Sequence, residues 1–201
     1  RWYGHQFSRD VGIAGLYVHL NVPFEDKRPV AIGLIQAGID FYAVVTTSVG
    51  GSRQWPADGG HSQGRKWPVL FAGLMLGDTA MQNVGPGDGS NGIYFAEDHH
   101  TMYVDQTLVD ITNSSQWRPD TRASTQPYST GMIGMPEAII NGLPAQGNAN
   151  WTAMYRQCCQ ASAWQGLVLA ARIMNARGIW NHDALFDYED RYMAIAAGAP
   201  D

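Results

Sequence analysis

Apolar positions recur along most of the chain at helical spacing. Residues 11–20, Val-Gly-Ile-Ala-Gly-Leu-Tyr-Val-His-Leu, predict a short buried helix that Pro23 stops. A second helix is expected with Pro29 in its first turn, where the missing N–H would have been unpaired anyway. It runs through Ile32, Leu34, Ile35, Ile39, Phe41, Tyr42, Val44 and Val45 until Gly50-Gly51-Ser52 ends it. That helix is apolar around most of its circumference, as a helix sandwiched between other elements would be. A third is expected over 67–80, packing Val69, Leu70, Phe71, Leu74, Met75 and Leu76.

The pattern then loosens. Residues 84–91 are a Gly/Pro/Asp/Asn turn region. Over 93–109, Tyr94, Met102, Tyr103, Val104 and Leu108 fit a short strand as well as an irregular helix. Turn-formers run through 110–149, with one short helix expected near 136–141. A loop of that length usually covers or binds something. The clearest helix spans 151–176, with Asn150 as N-cap and Gly178 as its stop. The last spans about 182–197 from Asn181 or Asp183, its acids gathered toward the N-terminal half as the helix dipole favours.

What recurs is helix, long Gly/Pro/Trp-bearing loop, helix. The fold class is therefore mainly α: helical hairpins forming part of an α/α toroid, with loops gathered at one mouth and a short strand pair as the admixture. The chain reads as a single helical domain over 1–201. It opens on Arg1-Trp2-Tyr3-Gly4-His5 rather than Met, which suggests the C-terminal part of a larger protein, with an N-terminal portion or a second chain to complete it.

Composition sharpens this in two ways. Charged residues are only 15% against 45% hydrophobic, well below the usual quarter or so, so the surface must be covered by small polar residues or by other protein. The net charge is -5 with no basic run, so no nucleic acid is expected as a partner. No stretch of eighteen uninterrupted apolar residues occurs, so no membrane span is expected. Cys158 and Cys159 are adjacent; neighbours rarely pair because the bond strains the peptide between them, and they read as two small buried residues.

Three clusters could carry chemistry. In Asp58-Gly59-Gly60-His61-Ser62-Gln63-Gly64-Arg65, glycines allow close approach to a ligand, His61 can exchange protons and Arg65 can clamp a carboxylate. The plainer reading is a helix-entry loop whose His and Arg satisfy buried carbonyls. Glu97-Asp98-His99-His100, followed by Tyr103, offers acid/base groups, against the plainer reading of a solvated polar edge. No metal is expected, although Asp98 and His100 would share one face of a strand and could hold a divalent ion between them. Tyr155-Arg156 opens the long helix, where an anion is favoured, but could equally be a core tyrosine beside a surface arginine. Asn181-His182-Asp183 reads most simply as capping. Seven tryptophans, among them Trp55 and Trp164, could stack on sugar rings or plug helix ends.

Gly59-Gly60-His61-Ser62-Gln63-Gly64-Arg65-Lys66 running into an apolar helix, with Tyr155-Arg156 and Trp-rich connections, resembles the helical-toroid polysaccharide lyases and their relatives. The resemblance is one of style over the whole chain. It implies a secreted or periplasmic enzyme that cleaves an acidic polysaccharide or oligosaccharide by β-elimination, without a cofactor. It further implies Arg65 and Arg156 as carboxylate binders, His61 as base or neutraliser, Tyr103 or Tyr155 as base and acid, and Trp55, Trp164 and His99 as substrate contacts. A glycoside hydrolase using two carboxylates among Asp58, Glu97, Asp98 and Asp187 is the second enzyme reading, and a non-catalytic carbohydrate-binding or scaffolding segment is the third.

Overall fold

A computed structural model of the chain describes residues 3–47, 54–115, 127–139 and 158–198. In chain order the elements are α1 (Gly4–Tyr17), α2 (Phe24–Thr47), α3 (Lys66–Leu76), α4 (Thr79–Gln82), α5 (Ala96–His100) and β1 (Thr101–Tyr103). These are followed by α6 (Gln106–Thr112), a 3-10 turn at Thr130–Met132, β2 (Pro136–Ala138), α7 (Ala161–Ile173), α8 (Arg177–Trp180) and α9 (Asp183–Ala196). The protein is mainly helical with one two-stranded antiparallel sheet, and no closed toroid is visible among the described residues.

Several boundaries differ from the expectations, each for a local reason. α1 begins well before the apolar run because its buried stripe is made of small residues: Gly4, Ser8, Gly12 and Gly15 beside Val11. α2 begins at Phe24, which puts Pro29 a turn deeper than expected; the Glu25 carbonyl that loses its donor lies at an exposed residue. The helix predicted over 67–80 is two, because Gly77 takes φ 69° and the Asp78 carboxylate caps α4 through the N–H groups of Ala80 and Met81 at 2.9 and 3.0 Å. α7 stops at Ile173, with Asn175 at φ 53°, and Gly178 lies inside α8 instead of ending α7. The helix expected near 136–141 is replaced at 136–138 by strand β2, which finds a partner in β1. Pro136 is its first residue, where no ladder donor is required. Asn150 and the start of the predicted helix at 151 lie outside the described residues.

Two helix pairs set the frame. α1 lies so close on α7 that a Cβ on Gly12 would stand 2.9 Å from the Gly166 Cα and the Leu167 nitrogen. α2 lies on α3, where a Cβ on Gly38 would run into the Pro68 carbonyl. Backbones this close leave no room for larger side chains, so the apolar residues of both pairs converge on one core. Trp67, Trp164, Trp180, Phe71, Phe95, Phe186, Leu70, Leu167 and Leu185 are all buried there, each aliphatic or Phe side chain worth on the order of 1.5–3 kcal/mol relative to exposure. A smaller cluster of Val104, Leu108, Val109, Tyr128 and Ile139 lies under α6.

α2 is not sandwiched as its all-round apolarity suggested. Leu34, Gly38 and Val45 are its buried residues, while Ile32 and Ile39 are 59% and 41% exposed. By length and composition alone it is long and apolar enough to cross a membrane. The cysteine expectation is also corrected: Cys158 and Cys159 are joined in a disulfide over the peptide between them, and neither is buried.

β1 and β2 pair as Thr101 with Ala138, Met102 with Glu137 and Tyr103 with Pro136. α9 packs over both strands and α7, which brings the C-terminal helix to the end of β1.

The packing predicts opposite outcomes for two glycines. Gly12→Ala should destabilise by about 1–3 kcal/mol through overpacking against α7. Gly33→Ala, where a Cβ meets nothing within 4 Å, should stabilise by about 0.5–1 kcal/mol by removing a helical glycine. Urea denaturation of the two variants measures both.

Candidate functional site

At the N-terminus of α3, Lys66 is wholly buried with its ammonium inside the core. Its Nζ donates to the Asp98 carboxylate, to the Pro86 carbonyl at 3.0 Å and to the Trp180 carbonyl at 2.6 Å. Asp98 also accepts the Trp180 indole N–H at 2.7 Å. Next to it, the Glu97 carboxylate accepts the backbone N–H groups of Gly64 and Lys66 at 3.0 and 3.1 Å. Burial pulls Lys66 down, opposed by Asp98 and Glu97; burial and then the Asp98 charge push Glu97 up, opposed by the backbone N–H donors. Gly87, at φ 74°, is required beside this group, since a Cβ would lie 2.5 Å from an Asp98 oxygen. The knot ties three loop and helix ends together: the start of α3, the one-turn α5, and the junction of α8 with α9.

Against that junction opens a cleft of about 480 Å³. Four groups in it are chemically competent. Tyr103, at the end of β1, donates its hydroxyl to Asp187 of α9. Burial first, then that hydrogen bond and the charges of Asp187 and Asp183, push the phenol up to about 12. Arg177 of α8 holds Asp183 at 2.6 Å and Asp187 at 2.8 Å, which raises its pKa further. His182 Nε2 lies 3.0 Å from the Thr101 carbonyl and 2.9 Å from its hydroxyl. A carbonyl only accepts, so Nε2 carries a proton, and in the neutral ring the lone pair is on Nδ1. His99 has the opposite tautomer: the Ala57 N–H donates to its Nδ1 at 2.9 Å, leaving Nε2–H as a donor, and burial lowers its pKa. Asp88 also lines the cleft; burial alone would raise it, but the Ser90 hydroxyl and N–H hold it below its usual range.

Of the residues singled out from sequence for chemistry, Tyr103, His99 and Asp98 line this cleft. His61 and Arg65 are elsewhere, in the loop against which α1 docks. His61 is exposed, edge-on to Tyr3 at 4.6 Å, with Nδ1 3.1 Å from the Asp58 carbonyl oxygen. Arg65 donates to the Gln63 carbonyl and lies 4.6 Å over the Phe7 ring. Trp55 packs between Phe41 and Phe95, and Trp164 is fully buried, so it has no face to offer a sugar. Tyr155 and Arg156 lie outside the described residues. The Glu97–His100 segment is one turn of helix instead of a strand, so Asp98 and His100 do not share a face. Asp98 turns to Lys66 and Trp180, and His100 Nδ1–H to the Ile139 carbonyl at 2.6 Å. Among the described residues no group of three His, Cys, Asp or Glu side chains is placed to hold a metal.

His182, Arg177, Asp183 and Asn181 were not expected at the site. Asn181-His182-Asp183 does cap a helix, since Asn181 ends α8 at φ 58° and His182 precedes α9. The same turn that caps also aims polar groups at the end of β1, which no local pattern announces. Comparison with protein-family models, curated proteins and solved structures finds no match for this chain.

Two stability outcomes follow. Lys66→Met leaves Asp98 buried without its ion pair and should cost about 3–5 kcal/mol, read by denaturant unfolding, with part of the loss recovered in Lys66→Met/Asp98→Asn. His100 is held neutral, its pKa lowered to about 4 by burial, so the unfolded chain takes up its proton first as pH falls. Stability should be complete above about pH 6.5 and decline toward pH 4 by about 3 kcal/mol. His100→Gln should flatten that part of the pH–stability curve.

Proposed function

We propose that the protein is a carbohydrate-active enzyme that cleaves a uronic-acid-containing polysaccharide by β-elimination in the Tyr103 cleft. The observation that carries this reading is the pairing of an imidazole with an open lone pair, His182, and a phenol that keeps its proton, Tyr103, around one cavity. A cavity of this size, lined largely by hydrogen-bonding side chains, suits a few sugar rings.

In this reading the His182 Nδ1 takes the C5 proton of the uronate, the C4–O4 bond breaks as the C4–C5 double bond forms, and Tyr103 gives its proton to the departing O4. Arg177, the His99 Nε2–H and the Asn181 amide supply donors for the carboxylate, whose developing enolate charge must be stabilised. Asp187 orients the Tyr103 hydroxyl, and Arg177 holds Asp187. These roles differ from those first assigned to His61 and Arg65, which do not reach the cleft.

A second reading has one specific support. Asp88, Asp98 and Asp183 line the cleft, where Arg177 is the one arginine among the described residues, a balance better suited to a neutral sugar, and so to glycoside hydrolysis, than to a uronate. Against it, Asp98 is held by Lys66 and Trp180, and Asp187 by Arg177 and Tyr103, so the oxygens of both are already engaged within the protein.

The test is ultraviolet absorbance of the purified protein with glucuronan, alginate, pectate and glycosaminoglycans. A rise from the unsaturated uronate is expected on one of them. Tyr103→Phe and His182→Ala, shown folded by circular dichroism, should each lower kcat by about 10²–10⁴-fold. New reducing ends without absorbance would favour hydrolysis; no cleavage of any polymer would overturn both readings.

A further inference from the structure

A second cleft, of about 550 Å³, opens between α1, α7 and α9 and shares no lining residue with the Tyr103 cleft. Its walls are apolar: Ile13 and Leu16 from α1, Val168 and Leu169 from α7, and Met193 from α9. Ile13, Leu169 and Met193 are 65%, 49% and 51% exposed, so the apolar surface is open to solvent.

Glu189 of α9 also lines this cleft and is 3% exposed, yet neither of its carboxyl oxygens has a hydrogen-bond partner among the described residues. An orphaned carboxyl at a helix position where leucine would pack is a cost without a structural return. Burial, and then the charge of Asp190, push Glu189 well above the usual carboxylate range. A carboxyl buried here with neither oxygen partnered keeps its proton rather than hold an unpaired charge out of water, which leaves it one O–H to donate.

The rim adds a sign. Arg172 is engaged by Asp190 at 2.6 Å. Arg9 reaches the Cys158 carbonyl and the Ser162 hydroxyl, both at 2.8 Å, and neither neutralises its charge. With Glu189 neutral, the two guanidiniums exceed Asp190 by one positive charge. A monoanion balances this. An alkylammonium would face both arginines and a protonated carboxyl, and a neutral alcohol would leave Arg9 unanswered.

We propose that this cleft is a binding site for an amphiphilic monocarboxylate. The unbranched apolar tail lies along Ile13, Val168, Leu169 and Met193, and the carboxylate accepts the Glu189 O–H and an Arg9 N–H. A proton bond between a carboxylic acid and a carboxylate is charge-assisted and is stronger out of water, and the apolar walls exclude water from it.

The experiment is calorimetric titration of the whole chain at pH 7 with decanoate below its micelle concentration, with decylammonium and decan-1-ol as comparators. Saturable decanoate binding at one site, at least tenfold tighter than either comparator, is expected. Glu189→Leu should weaken decanoate by tenfold or more while raising the unfolding temperature, since it removes the orphaned carboxyl, and Arg9→Gln should weaken it comparably. The proposal is overturned if decanoate does not saturate, if decylammonium binds as tightly, or if folded Glu189→Leu binds decanoate like the unchanged protein.

Discussion

A lysine ammonium enclosed in an apolar core must find oxygen acceptors on every side, and Lys66 draws its acceptors from distant parts of the chain. Asp98 comes from α5, the Pro86 carbonyl from the turn before it, and the Trp180 carbonyl from the end of α8. Desolvating this charge is expensive, and only full coordination offsets it. The result is a geometric lock rather than a large net stabilisation. The turn over 84–91 cannot shift, Gly87 cannot carry a side chain, and α8 must end where its last carbonyl meets the ammonium.

The Tyr103 cleft is a consequence of that lock. Asp98 and Trp180 are joined at the centre, so β1, which follows α5, and α9, which follows α8, start from the same point and run side by side. Tyr103 then meets Asp187, and His182 meets Thr101. The acid/base groups are held by backbone and carboxylate partners on regular elements, which is how a site keeps its geometry without a ligand. The second cleft has a different origin: α1 and α7 touch through Gly12 and Gly166, and the larger residues displaced to either side form its apolar walls.

The glycine-rich loop over 58–65 shows how a real sequence signal can point at the wrong consequence. Its glycines do permit close approach, but what approaches is α1: a Cβ on Gly60 would meet the Tyr3 ring, and one on Gly64 would meet Ser8. Glycine records that something comes near, not whether it is a ligand or another helix. Of the plainer reading, a helix-entry loop whose His and Arg satisfy buried carbonyls, the Arg65 part is present in its bond to the Gln63 carbonyl, while His61 stands exposed.

By itself the sequence determined the helical class, the position of α9 to within a turn, the C-terminal end of α2 and the start of α3, with a strand admitted at Tyr103. These rest on hydrophobic period, capping residues and breakers, all local to the chain. It also marked Tyr103 and His99 as chemically capable. Tertiary structure alone decided that Pro136–Ala138 is a strand, since a strand exists only when another pairs with it, and that α2 lies half-exposed, since apolarity does not say what is present to cover it. Only the fold could bring His182 and Arg177 to Tyr103, or leave Glu189 without a partner, because these depend on contacts between segments far apart along the chain, about which local pattern carries no information.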